Sequence, residues 1–212
     1  MRTKHRGTGF LLLGVALIAA AAALTVSNLR DEQQAARRAD QALEQIRLEL
    51  PAAPASSPPA ADELPNAAEA EIPNYILNPE MDMPVQTVDG LDYIGILEIP
   101  ALGRTLPVIS QWSDSAAKSA PCRYAGSAYT DDLIIAGHNY RSHFAGLKTI
   151  PEGSTIRFTD TDGNCFEYEV VLVETLHAAD VEEMQSGDWA LSLFTCTMSG
   201  QYRATVRCQR AA

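Results

Sequence analysis

Eighteen consecutive residues, Gly9–Val26 (GFLLLGVALIAAAAALTV), carry no charge and no strongly polar side chain. A helix needs about 20 mostly apolar residues to cross a bilayer core, so this run constrains what the rest of the chain can be. Arg2, Lys4 and Arg6 precede it. Basic flanks stay in the cytoplasm, which exports everything after the run. The run is long for the apolar region of a cleaved signal peptide and reads as a retained signal-anchor. Small-residue cleavage sites in its alanine stretch keep cleavage open as the competing reading. The expected division is 1–30 cytoplasmic flank and transmembrane anchor, 31–50 juxtamembrane helix, 51–73 Pro/Ala-rich spacer and 74–212 folded domain.

The net charge is −11, although residues 1–30 hold four basic residues and no acid. The exported part is therefore strongly acidic, which argues against a nucleic-acid partner, since phosphate binding needs clustered Lys and Arg. Asp31–Leu50 is rich in helix formers, with Leu43, Ile46 and Leu50 on one stripe. It reads as a solvated stalk or a weakly self-associating helix. Pro51–Glu71 has five prolines among Ala and Ser, an extended spacer that would hold the folded head away from the membrane.

Beyond about Ile72, short apolar runs alternate with Gly, Asp and Asn. Tyr93–Pro100, Thr105–Ile109, Leu133–Ala136, Thr155–Phe158, Phe166–Leu176, Leu191–Cys196 and Ala204–Cys208 read as strands. Leu133–Ala136 is continuously apolar and so buried on both faces. Short helices are expected at Ser113–Ser119 and Val181–Ser186, and one around His143. The pattern is all-β, a barrel or sandwich of roughly eight strands. Asp160–Asn164 (DTDGN) resembles a calcium loop only loosely. Gly163 comes too early and Cys165 stands where the loop needs Gly, so it reads as a hairpin turn. No metal or cofactor is expected.

The cysteines are Cys122, Cys165, Cys196 and Cys208. An even, exported count invites disulfides, and the spacing does not suit zinc. Cys196 ends an apolar strand and opens a loop, which puts its thiol at a rim. Cys208 alternates with Val206 and Ala204 and reads as a core thiol or half of a disulfide. Cys165 reads as a turn-edge residue and Cys122 as a loop residue. His138 directly follows a buried strand, and Arg203 opens the strand after the Cys196 loop, so a hairpin would set it beside Cys196. A thiolate nucleophile, an imidazole that moves protons and a planar donor fork make a set suited to acyl transfer from a peptide bond. His before Cys in the chain disfavours the papain order.

Ser192-Leu193-Phe194-Thr195-Cys196 resembles the TLxTC signature of the sortases, cysteine transpeptidases of mainly Gram-positive surfaces, with Ser in place of the first Thr. Arg203, the segment Ile134–Asn139, and Tyr93–Pro100 followed by Leu106–Val108 also resemble that family, over roughly Tyr93–Arg210. The resemblance implies an eight-stranded β-barrel and a thioacyl-enzyme on Cys196. His138 would be the general acid/base, Arg203 the oxyanion or substrate stabiliser, and Thr195 and Asn139 substrate contacts. It also implies LPxTG-like surface proteins or pilins as substrates, and an amine of a cell-wall precursor or a pilin Lys as acceptor. Asn78–Pro84 (NPEMDMP) lies where some members carry a lid motif but reads as packing. Little chain follows Arg203, so no further domain is expected. Two alternatives are a non-catalytic anchored β-domain with two disulfides and another cell-wall cysteine transpeptidase. The Ser-His-Gly-Cys stretch of the L,D-transpeptidases is absent.

Overall fold

The structure is a computed structural model that describes residues 4–51, 72–197 and 199–211. It consists of one long helix, α1 (Lys4–Glu49), and a β-barrel with two short helices, α2 (Asn74–Leu77) and α3 (Val181–Gln185). The strands are β1 (Gln86–Val88), β2 (Leu91–Ile99), β3 (Arg104–Ile109), β4 (Cys122–Ala125), β5 (Leu133–Gly137), β6 (Thr155–Asp160), β7 (Cys165–His177), β8 (Leu191–Cys196) and β9 (Tyr202–Arg210). Eight of them close in the order β2-β3-β4-β5-β8-β9-β7-β6, with β6 pairing back onto β2, and β1 is a hairpin flap on β2. Closure removes the sheet edges that would otherwise template aggregation.

Pairing follows the residue pattern. The first half of β7 alternates, burying Phe166, Tyr168 and Val170 between exposed Cys165, Glu167 and Glu169, as expected for a strand with one dry face. β5 is buried at all five positions and pairs in parallel with β8, Leu133 opposite Leu191 through Gly137 opposite Thr195. The barrel interior holds Leu97, Leu133, Ile135, Phe158, Leu193 and Val206, all fully buried. Each side chain of this kind contributes about 1.5–3 kcal/mol on leaving water.

Several expectations change. Cys122 is not in a loop. It opens β4 and is fully buried, opposite Ala136 of β5. β4 and β1 had no clear periodic signal because each is only three or four residues long. The segment around His143 is a series of turns rather than a helix. All four cysteines are free, including the fully buried core thiol Cys208. Asp160–Asn164 is a turn. Its Asp160 carboxylate accepts from Tyr129 Oη, the Asp162 and Asn164 amides, and Asn164 Nδ2. Met83 is buried in the barrel end and Met81 packs beside it, so residues 78–84 pack on the barrel.

The reading of residues 31–50 as a free stalk is also corrected. α1 runs without a break through the apolar segment, and its later turns lie on the barrel. Ala35, Ala39, Ala42, Leu43 and Ile46 are buried, a stripe at helical spacing. The lower part of this stripe meets Val88, Tyr93, Ile96 and Ile109. Small alanines let the helix axis approach the sheet closely. The apolar turns before it are exposed, and α1 is the one described helix long and apolar enough to cross a membrane. Because α1 reaches the barrel before Pro51, the spacer does not set the distance between apolar run and barrel. Residues 52–71 lie outside the described residues.

Gly95 carries the barrel closure. It stands opposite Asp160 of β6, at a bulge in the β2–β3 register, with φ +153°, and a Cβ there would overlap the Thr159 carbonyl. Gly95→Ala is therefore expected to destabilise the protein by on the order of 2 kcal/mol, read as a lowered melting temperature against wild type.

Candidate active site

The site follows from two registers on three adjacent strands. β8 and β9 pair antiparallel with Cys196 opposite Arg203. Directly opposed residues share a face and lie ~4.5–5.5 Å apart at Cα. β5 and β8 pair in parallel up to Gly137 opposite Thr195, so His138 and Cys196, each the next residue, leave the barrel at the same end. His138, Cys196 and Arg203 all line one cavity of about 320 Å³ on the outer face of the barrel. Trp112, Tyr124, Val181, Met184 and Phe194 supply its apolar wall, and Asp114 contributes a carboxylate.

Alternation along β8 turns Thr195 the other way. Thr195 is buried and its Oγ1 has no hydrogen-bond partner. Together with Asn139, Phe144, Lys148 and Ala204 it lines a second cavity of about 220 Å³, which Cys196 also borders. The thiol thus stands between two cavities. The structure brings all five sequence-predicted site residues to these two walls.

Burial sorts the four thiols. Cys122 and Cys208 are both pushed up to about 12 by desolvation, so neither supplies thiolate near neutral pH. Cys165 is exposed at the β6–β7 turn and borders neither cavity. Cys196 is half-buried with cavity on both sides.

Burial also lowers His138 below the ordinary imidazole value, with Lys118 adding to the effect and Asp114 opposing it. His138 is therefore neutral at rest, and its buried Nε2 has no partner. A neutral imidazole can accept a proton from a thiol and later return it. Arg203 Nη1 donates to the carbonyls of Gly200 and Tyr202 at 3.0 and 3.2 Å. This ties the guanidinium to the β8–β9 turn and leaves Nε and Nη2 for another acceptor.

Sequence reasoning missed the brace behind the cavity. Arg207, two pleats along β9 from Arg203, is 2% exposed. Its Nε donates to Glu174 Oε1 at 2.8 Å, Nη1 to Ser192 Oγ at 2.9 Å and Met184 O at 2.7 Å, and Nη2 to Glu183 O at 2.8 Å. The carbonyls belong to α3, which supplies Val181 and Met184 to the cavity wall. Ser192, the departure from the family signature, therefore uses its hydroxyl to hold this arginine. The one available signal was an Arg set between apolar Val206 and Cys208.

His143 is fully buried without a side-chain partner. Desolvation, and then the nearby His138, bring it down to about 4. Tyr140 lies between the two imidazoles, with centroids 4.9 Å from His138 and 5.3 Å from His143. Among the described residues no group of three or more His, Cys, Asp or Glu side chains could hold a metal.

A family model described as a sortase domain matches residues 97–211. No curated protein matches the chain. Solved structures of other proteins share the fold, among them the following three. The Streptococcus pneumoniae sortase C structure, whose description concerns catalysis and pilin substrate specificity, is 22% identical with a TM-score of 0.51. That match covers 57% of this chain and 69% of the other. A sortase D5 transpeptidase of Clostridium perfringens is 19% identical with a TM-score of 0.51, over 60% of this chain and 83% of the other. A sortase C of C. perfringens, solved with the C-terminal cell wall sorting motif, is 19% identical with a TM-score of 0.51, over 60% and 77%.

Three outcomes are expected. Arg207→Ala leaves buried partners stranded and should cost about 3–5 kcal/mol, while Ser192→Ala should cost about 1–3 kcal/mol, both read from denaturant midpoints. Between about 4 and the ordinary imidazole value near 6.5, His143 is neutral when folded and protonated when unfolded. The unfolded state then binds the extra proton, so stability falls as pH falls, by about 1.4 kcal/mol per unit from this group. His143→Gln should flatten the melting-temperature profile across that window.

Proposed function

The chain belongs to the sortase family, and from that premise we propose that it is a membrane-anchored transpeptidase whose nucleophile is Cys196. The observation that supports this is the convergence of His138, Cys196 and Arg203 on one cavity. His138 takes the thiol proton, and the thiolate attacks the scissile carbonyl of an LPxTG-like sorting signal. The free nitrogens of Arg203 receive the oxyanion or a neighbouring carbonyl. When the tetrahedral adduct collapses, the C–N bond breaks, and His138 delivers its proton to the departing amine. A thioacyl-enzyme remains. An acceptor amine, from a cell-wall precursor or a pilin Lys, then attacks the thioester while His138 removes a proton from its nitrogen. Collapse expels the Cys196 thiolate, which recovers a proton from the imidazolium.

Thr195 and Asn139 contribute substrate contacts from the second cavity. The acyl donors are LPxTG-like surface proteins or pilins. The apolar run of α1 is a single-pass anchor with the barrel outside the cell. This reading is supported by the basic residues before the run and by the exposed apolar surface of the helix. That all four cysteines are free disfavours a disulfide-stapled binding domain.

The test mixes the full chain with a set of LPxTG-like peptides and weighs the protein. A peptide-sized adduct mapping to Cys196, discharged by added amine, is the expected result. Cys196→Ala should abolish both adduct and ligated product, and their persistence would remove the mechanism. Arg203→Lys should lower kcat/KM by about a hundredfold or more, since an ammonium does not reproduce the fork.

A further inference from the structure

We propose that Glu32, on α1 just beyond the apolar run, is a positioning residue for His138, so that the helix leaving the membrane is a working part of the active site. This rests on the reading of His138 as the proton-transfer group.

The connection is a clamp on the backbone of one residue. Glu32 Oε1 accepts the backbone N–H of Arg141 at 2.6 Å, although the two lie 109 residues apart in sequence. The Arg104 guanidinium of β3 donates to the carbonyl of the same residue, Arg141. An anion on the N–H side and a cation on the C=O side are both charge-assisted bonds, the stronger kind. They hold residue 141 from opposite directions, one from the helix and one from the barrel.

Arg141 is the middle of the turn segment that carries His138. That segment is fixed at its start by β5, which ends at Gly137. At its far end it is fixed by Phe144, fully buried with its ring packed against Gly137. Between these anchors the internal hydrogen bonds are Phe144 N to His138 O, and His143 N and Ala145 N to Tyr140 O. Asn139 and Arg141 are exposed, so packing does not hold the middle. Tyr140, beside the clamped residue, packs tilted against the His138 ring, with centroids 4.9 Å apart and planes at 32°. The carboxylates of Asp31 and Glu32 also face Tyr140, adding to the burial that raises its phenol. Contact is therefore continuous from the helix through residues 140 and 141 to the imidazole.

The place of the clamp along α1 adds to the argument. At 1.5 Å per residue, Glu32 lies about 9 Å along the axis from Val26, the last residue of the apolar run. The buried stripe Ala35–Ile46 then fixes the rotation of the helix on the barrel, which keeps Glu32 turned toward residue 141.

The test uses the full chain in detergent micelles or nanodiscs, comparing wild type with Glu32→Ala, Glu32→Gln and Asp40→Ala. Asp40 borders the same helix–barrel groove as Glu32 but has no hydrogen bond to the His138 segment among the described residues. Glu32→Ala should speed amide exchange in residues 138–146 by about tenfold while leaving β7–β9 protected. It should also move the His138 imidazole carbon resonance, a reading that needs no substrate. With a sorting-signal peptide its kcat should fall about tenfold at nearly unchanged KM. Glu32→Gln keeps an acceptor oxygen and should recover most of each effect, and Asp40→Ala should reproduce none. Unchanged exchange and an unmoved His138 resonance in Glu32→Ala would overturn the proposal. So would equal effects from Asp40→Ala, or a Gln variant no better than Ala. If wild type forms no thioacyl adduct, the proposed activity falls, and the exchange and resonance readings alone decide the clamp.

Discussion

The site depends on the order β5-β8-β9 in the barrel wall. A parallel pair beside an antiparallel pair places the ends of two strands and the beginning of a third at one rim. His138 follows β5, Cys196 closes β8, and Arg203 stands near the start of β9. No long side chain has to reach across the molecule, because ladder spacing of ~4.8 Å between neighbouring strands already sets the separation. The geometry of the candidate site is thus a property of backbone register. A one-residue slip of β8 would turn Cys196 toward the inner cavity and Thr195 outward, exchanging their roles.

Parallel pairing calls for a strand that is dry on both faces, and β5 meets that with aliphatics and a glycine alone. β9, antiparallel to both its neighbours, is also buried from Ala204 to Cys208, and there Arg207 is covered by α3. Burying a guanidinium in a barrel wall is costly unless every donor direction is met. Here Glu174, Ser192 and two helix carbonyls accept four hydrogen bonds that engage all three of its nitrogens. The arginine therefore holds the five-residue α3, too short to be stable alone, against the strand as one wall of the larger cavity.

Much of this was legible in the sequence. Seven strands were marked by alternation or continuous apolarity, and the hairpin between β8 and β9 was enough to pair Cys196 with Arg203. The His138 placement needed only the rule that a polar residue after a buried strand emerges at a rim. What was not legible had a common cause in partners far apart along the chain. β4 is four residues long and meets β3 at one residue pair, Ile109 with Cys122, too little to impose a period. Cys122 looked like a loop residue for the same reason. Ala35, Ala39 and Ala42 count as helix formers in any local window. Their service as a contact face is visible only when β1 and β3 are placed beside them.

That last point bears on how the apolar run is joined to the barrel. A tether joined through a flexible spacer would leave the barrel free to tumble above the bilayer, at an average distance growing as the root of spacer length. A helix that continues from the apolar run onto the barrel instead fixes height and orientation together. The His138 segment is then held close to the end of the apolar run, through the contact of Glu32 with Arg141.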